Sequence, residues 1–391
     1  MSEIKVNSIK GVGASTAAIT VNNTDGTCTA NLSNRQNRNL IINGAMEVAQ
    51  RGTSSTSNGY QTVDRFYINF NNTDEAPTQA QANVASGTTP YTLGFRKSFK
   101  ITNGNQTSGA GAADRMRLLY IIEAQDVAKS GWNYTDSNSK ITLSFWIKSS
   151  VSQNFYFRAT SSDGTTYNFP METGSLSADT WTKITKTIPG NSNLTFNNDN
   201  GIGLYLIWAQ YRGTDNTDSG VALNTWAATG SGVTIFPDYT STWYTTNDAT
   251  WELTGVQLEV GSVATDFEHR SFAVEKRLCM RYYQQEVNPQ RGGGRGGGSA
   301  NKGELHPFFF PVEMRSTPTV SLTNTGGSGG QYVYDDDAYS NMSSLDSASA
   351  NTISCHINYT MSGDLSNGSH LMLGGATNTS YVTVYKFEAE L

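Results

Sequence analysis

Charge is what this 391-residue chain has least of. Asp, Glu, Lys and Arg together make up 15% of it, against about 25% in ordinary soluble domains. Asn, Thr, Ser and Gly stand in their place, residues that suit turns and the outward faces of strands. That balance excludes a helical metabolic enzyme and fits a β-rich, loop-rich surface protein. Cysteine is nearly absent. Cys28, Cys279 and Cys355 lie far apart and are odd in number, which excludes a disulfide framework and leaves reduced, buried thiols as the expectation. No run approaches the ~18 apolar residues of a membrane span, and the opening MSEIKVNSIK lacks the apolar core of a signal peptide. Maturation in a cytoplasm, or by a route without a signal, is therefore expected. Basic residues number 27 against 33 acidic, a net charge of −6, which argues against a nucleic-acid partner.

What is present reads as strands. Hydrophobic residues make up 37% of the chain, enough for two or three cores at this length. Residues 1–39 are polar and broken by glycine; IKVNSI and AAITVNN alternate apolar with polar at period two. Such brief strands cannot bury themselves, so pairing with sister chains or docking on a larger body is expected, with a homotrimer as the specific form. From 40 to 270, ITLSFWIKSS, FYFRAT, TWTKITKTIPG, GIGLYLIWAQY and ATWELTGVQLEVG alternate between Asn/Asp/Gly turns. Two packed antiparallel sheets of jelly-roll type follow, and all seven tryptophans fall inside this segment. SFAVEKRLCMRYY, 271–283, has the best helical pattern in the chain and hands over to a strand near Arg281. Short alternating strands then predict a smaller β-sandwich, giving an all-β chain with units at 1–39, 40–270 and 271–391.

Several motifs imitate chemistry. PQRGGGRGGGS, 289–299, contains GxGxxG at Gly292, Gly294 and Gly297, but SANKGELHPFFFP follows it, with prolines and a strand where a dinucleotide site needs a helix. The Arg-Gly-Gly units at Arg291 and Arg295 are too few for an RNA-binding tract, so a mobile loop is expected. Gly326-Gly327-Ser328-Gly329-Gly330 fits GxSxG but sits between two strands, not at a nucleophile elbow. His356 and His370 read as strand histidines. Asp335-Asp336-Asp337 lacks the alternation of a calcium loop. No cofactor, metal site or catalytic residue is expected.

Four separated segments, RNLIINGAMEVAQRGTSSTSNGYQTVDRF (38–66), ITLSFWIKSS (141–150), TWTKITKTIPG (180–190) and LTGVQLEVGSVATDFEHRSFAVEKRLCMRYYQ (253–284), resemble tail-fibre and related structural proteins of tailed phages, those of marine and cyanobacterial phages most. The resemblance covers roughly 35–320; the glycine tract departs from it. It implies a virion protein assembled in the host cytoplasm: a trimeric fibre fixed to the tail or an adaptor through its N-terminal strands, with a jelly roll like that of carbohydrate-binding modules. The implied partner is a host-surface glycan or lipopolysaccharide. Alternatives are a tail-adaptor or capsid-decoration subunit with a purely structural role, and a glycan depolymerase.

Strand parity nominates glycan contacts. In ITLSFWIKSS, Leu143, Phe145 and Ile147 face the core and leave Trp146 outward. In ATWELTGVQLEVG, the row Thr254, Val256, Leu258 and Val260 leaves Trp251, Gln257 and Glu259 outward. In FYFRAT, Tyr156 and Arg158 oppose Phe155 and Phe157. Loop aromatics Tyr239, Trp243 and Tyr244 are the second choice, in a Thr/Asn-rich segment expected to be exposed.

Overall fold

A computed structural model describes residues 6–12, 17, 19–21, 28–30, 37–229, 236–287, 292–297, 302–325, 332–335, 338–361, 370–373 and 382–391. The all-β expectation holds. Two six-stranded antiparallel sheets pack face to face as a jelly-roll sandwich. The first runs Ala227–Ala228, Tyr167–Ser175, Asn154–Ser161, Ile202–Arg212, Arg115–Glu123, Phe66–Asn71 across its width, and the second Thr182–Pro189, Lys140–Ser149, Thr250–Val260, Lys97–Thr102, Thr78–Asn83, Ser54–Ser55. Neighbours within a sheet are seldom consecutive in sequence, so the chain crosses repeatedly between sheets.

The core lies where the two inner faces meet. Phe145 stands edge-on to Phe157 at 5.1 Å and to Trp208 at 5.7 Å between ring centroids. Leu143, Ile147, Leu204, Leu206, Leu253 and Leu258 fill the space around them. Each such side chain, once buried, contributes roughly 1.5–3 kcal/mol. Alternation does the sorting: Phe157 pairs with Trp208 in register, both inward, while Arg158 pairs with Ile207, both outward.

The expected helix spans Phe272–Cys279, and the Ser271 hydroxyl caps it by accepting the Val274 N–H. Its Glu275 carboxylate, pushed up by burial, accepts the Asn43 N–H and so ties the helix to the chain's approach to the sandwich. Strand Tyr283–Val287 follows, pairing with Val382–Glu388, which also pairs with Thr319–Thr325. The strands Gly292–Gly297, Lys302–Phe309, Ala338–Ala350, Ser354–Met361, Tyr332–Asp335 and His370–Leu373 close into a barrel.

Residues 292–297 are thus a strand rather than the expected loop: they pair with Lys302–Phe309 and His370–Leu373. Backbone hydrogen bonds need no side chain, so a glycine run with no apolar pattern can still take a place in a sheet. Arg291, the 326–330 GxSxG run and Asp336–Asp337 lie outside the described residues. Near the N-terminus, Ser8–Ile9, Ile19–Val21 and Cys28–Ala30 form a three-stranded antiparallel sheet, and Val6, Ile9 and Val12 are exposed. Cys279 and Cys355 are both buried. Among the described residues no helix is long and apolar enough to cross a membrane.

The sandwich and the C-terminal sheet meet over a buried ionic cluster. Arg65 pairs with Glu390 and lies over the Tyr282 ring, 3.3 Å from its centroid. Arg51 reaches Glu390 at 3.2 Å and Glu388 at 3.5 Å. Arg281 grips Glu123 with two hydrogen bonds, and the Tyr282 hydroxyl donates a third. Burial works against the Glu123 charge, but these donors hold its carboxyl below the usual range.

Candidate functional site

The nominated face of the second sheet is covered. Trp146 does oppose Leu143, Phe145 and Ile147, as parity requires, but it is half-buried against Ala45, Val84 and Phe95, with Trp181 and Phe267 packed on the same cluster. Residues 84–96 and 262–270 cross the face. Gln257 and Glu259 do point outward, yet both are buried because they hold the 262–270 segment down. The Gln257 amide donates to Glu259 at 2.8 Å and accepts the Glu268 N–H at 2.8 Å. Glu259 accepts both the N–H and the hydroxyl of Thr265, at 2.8 and 2.6 Å, with Arg38 3.5 Å away. These polar groups bind the chain's own linker, which corrects the expectation that they meet a sugar.

Replacing Gln257 with alanine should therefore loosen the linker. It strips partners from the Glu268 N–H and the Glu259 carboxylate, a loss of about 1–3 kcal/mol. Chemical denaturation would give the cost, and faster amide exchange over 262–270 would locate it; unchanged exchange there would sink this role.

Parity fails for Trp251, which is 1% exposed and belongs to the sandwich core. The cause is Gly255, whose φ of +63° sits in a bulge between Thr254 and Gln257. One extra residue shifts the alternation. Before the bulge Trp251 and Leu253 face inward; after it Val256 and Leu258 do. Thr254 consequently sits opposite Trp146 on the outer face. A Cβ at Gly255 would come within 2.7 Å of the Phe95 ring, so the covering segment is pressed directly onto the bulge.

Two of the three second-choice aromatics are also corrected. Trp243 and Tyr244 are fully buried. The Trp243 indole donates to the Thr250 carbonyl at 3.0 Å, and Tyr244 stacks on Tyr211 with centroids 4.2 Å apart and planes at 13°. The short helix Thr242–Thr245 closes that end of the core. Tyr239 is half-buried and caps the first sheet, its hydroxyl donating to the Tyr156 carbonyl at 3.3 Å.

The outer face of the first sheet is different. Tyr156 and Arg158 stand there as parity predicts, and the structure brings to them residues that the sequence reading passed over. In RMRLLYIIE, Met116, Leu118 and Tyr120 enter the core, leaving Arg115, Arg117 and Leu119 outward. Arg117 lies opposite Ala209, which lies opposite Tyr156. Arg115 lies opposite Arg212, with Cβ atoms of such pairs about 5 Å apart. Tyr67, Tyr205 and the buried Phe236 complete an apolar floor with Leu119, Ile207 and Ala209. The Arg158 and Arg212 guanidinium groups both lie over the Phe236 ring, at 4.9 and 4.8 Å from its centroid.

This face therefore carries four arginines among aromatic rings. The signal for two of them was the same alternation that placed Tyr156; Arg212 follows a bulge between Ala209 and Tyr211, which parity alone does not give. Burial, then the charges of Arg212 and Arg117, lowers the Arg158 guanidinium to about 9. Burial, then Arg117, lowers that of Arg212 to about 10. Both stay protonated at neutral pH.

No protein-family model matches the chain, and no curated protein sequence does. Among solved structures the chain is similar to the enzymatically active domain of tailspike protein 4 from bacteriophage CBA120, at 9% identity and a TM-score of 0.30 over 57% of this chain and 22% of that one. It is similar to the family 11 carbohydrate-binding module of a cellulosomal cellulase from Clostridium thermocellum, at 11% identity and a TM-score of 0.25 over 56% of this chain and 98% of that one. It is similar as well to a family 30 carbohydrate-binding module, at 8% identity and a TM-score of 0.27 over 61% of this chain and 94% of that one. All three likenesses are distant.

Proposed function

We propose that this chain is a virion structural protein, a tail fibre whose sandwich binds a glycan of the host surface through the outer face of the first sheet. The observation that carries the binding half is that face: half-buried Tyr67, Tyr156 and Tyr205 beside Asn69 and the guanidinium groups of Arg115 and Arg117. Aromatic faces stack on sugar C–H faces, and amide and guanidinium groups supply directional hydrogen bonds. The fibre half is supported by the resemblance of four ordered segments to tail-fibre proteins. It is supported too by Val6, Ile9 and Val12, apolar side chains exposed beside a small sheet that a trimer would cover. The chain binds without cleaving; residues 1–39 join the tail or its adaptor, and assembly takes place in the host cytoplasm.

Binding of the full chain to an array of bacterial surface polysaccharides tests the reading, with Tyr156→Ala and Tyr205→Ala as variants. Wild type should bind at least one polysaccharide without releasing reducing sugar. Each variant, still folded and still sedimenting as a trimer, should bind about tenfold more weakly, in line with about 1–1.5 kcal/mol for a lost aromatic contact. Unchanged binding by both variants would move the contact elsewhere. A sedimentation mass equal to the 42.4 kDa monomer would overturn the fibre.

A further inference from the structure

Among the described residues the four arginines of the first sheet have no counter-charge. None of Arg115, Arg117, Arg158 and Arg212 enters an ion pair among the described residues. The only hydrogen bond that any of their side chains donates among these residues is from Arg117 Nε to the Asn69 amide oxygen, at 3.1 Å. Among the described residues, buried Nε and Nη1 of Arg158, Nε of Arg212 and Nε of Arg115 have no hydrogen-bond partner, although Arg158 and Arg212 are each only 7% exposed. The nearby acids are engaged elsewhere: Glu123 with Arg281 and Tyr282 at the far end of its strand, Glu172 with the Asn154 amide, Asp238 with the Thr217 hydroxyl and Asp218 with the Gly220 N–H. The sequence between Thr229 and Phe236 holds no acid either.

This arrangement is costly in isolation. Arg115 and Arg212 are directly opposed like charges, which destabilises a sheet, and a buried cation without a counter-charge is strongly disfavoured. It also runs against the composition, because the chain as a whole is acidic, at −6. A ligand that brings negative charge to the face would reverse the penalty. Guanidinium forks match carboxylate and sulfate oxygens two at a time, and the tyrosines between the arginines offer surfaces for rings.

Resting on the glycan-binding reading above, we infer that the ligand of this face is an acidic polysaccharide, its anionic groups seated on Arg115 and Arg117, with Arg158 and Arg212 adding their charge beside them. Carboxylate and sulfate substituents share the required chemistry. Both weaken with salt, as exposed ion pairs do.

The experiment titrates the full chain against sodium polygalacturonate, dextran sulfate, unsubstituted dextran and duplex DNA. The first two probes separate a carboxylate from a sulfate preference. At least one acidic polysaccharide should bind, raise Tm, and weaken by about tenfold or more between about 0.05 M and about 0.5 M sodium chloride; dextran should not bind. Arg115→Gln/Arg117→Gln, exposed enough to be tolerated, should fold normally and bind at least about tenfold more weakly. Arg158→Gln should also weaken binding while leaving Tm unchanged or higher, since it removes an unpaired buried cation. Four results would each overturn the inference: no binding to either acidic polymer, equal binding to dextran, tighter binding to DNA, or a change of oligomeric state rather than of affinity in the double variant. A neutral array glycan lost in Tyr156→Ala but retained in Arg115→Gln/Arg117→Gln would leave glycan binding standing and remove only its acidic character.

Discussion

Arg65→Ala should lower the stability of the chain by about 3–5 kcal/mol, the range for removing one partner of a buried ion pair. Arg65 is 1% exposed and makes three contacts at once. One Nη atom pairs with Glu390, the other donates to the Ile121 carbonyl at 2.7 Å, and the guanidinium plane lies over the Tyr282 ring. Burial disfavours its charge, but Glu390 and the surrounding tyrosine hydroxyls hold its pKa well above the ordinary arginine value. Alanine leaves the Glu390 carboxylate dependent on Arg51 and leaves a backbone carbonyl of the sandwich without its donor. Because Glu390 is 325 residues away in sequence, the loss also unfastens the C-terminal sheet from the sandwich. Urea denaturation of Arg65→Ala, Glu390→Gln and the double variant would show it. A coupling energy of about 1–3 kcal/mol is expected. Additive single effects would mean that the pair is not a fastener.

Nothing local marks Arg65 or Glu390 in the sequence. Their partnership is a product of tertiary structure, joining the start of one strand to the end of the chain. Features that repeat along the chain are legible instead. Leu143, Phe145 and Ile147 enter the core because a strand alternates, and Tyr156 and Arg158 face out for the same reason. The 272–279 helix is capped by a serine and buries Glu275 and Cys279, while Phe272 and Val274 stay exposed. Alternation broke down at Gly255, where a bulge turned Trp251 inward. A glycine inside a strand pattern is the available hint, but its effect on parity depends on which side of the ladder takes the extra residue.

Facing outward also turned out to be different from being free. Gln257 and Glu259 were placed on the correct face, and only the structure shows Thr265, Asp266 and Glu268 lying on them. Covering segments are set by long-range packing, which a period-two pattern does not encode. The arginine face was half legible. Arg115 and Arg117 alternate with Met116 and Leu118 in plain view, yet their meaning emerges only when Arg158 and Arg212 arrive from other strands.

Trp243→Ala should cost about 3–5 kcal/mol, as large-to-small changes of buried aromatic residues do. The residue lies in a Thr/Asn-rich stretch, STWYTTND, whose polarity suggests an exposed loop with an aromatic ligand surface. The structure buries it completely. Its ring meets Phe155 nearly edge-on at 6.3 Å, and its indole N–H satisfies the Thr250 carbonyl. The backbone around it is fixed as well: its own N–H donates to the Gln153 side chain at 2.8 Å, and the Asn103 amide donates to the Tyr244 carbonyl at 2.6 Å. Alanine would empty the end of the core between the sheets and take one of two donors from the Thr250 carbonyl, which keeps the Ser150 N–H at 3.0 Å. Trp243→Phe separates the two effects, since it keeps most of the ring volume and loses the donor, at a cost nearer 1 kcal/mol. Chemical denaturation of both variants, with polysaccharide binding measured well below their unfolding midpoints, decides between anchor and ligand contact. The expected result is a large stability loss with affinity intact in whatever fraction remains folded. Full stability with lost affinity would return Trp243 to the binding surface.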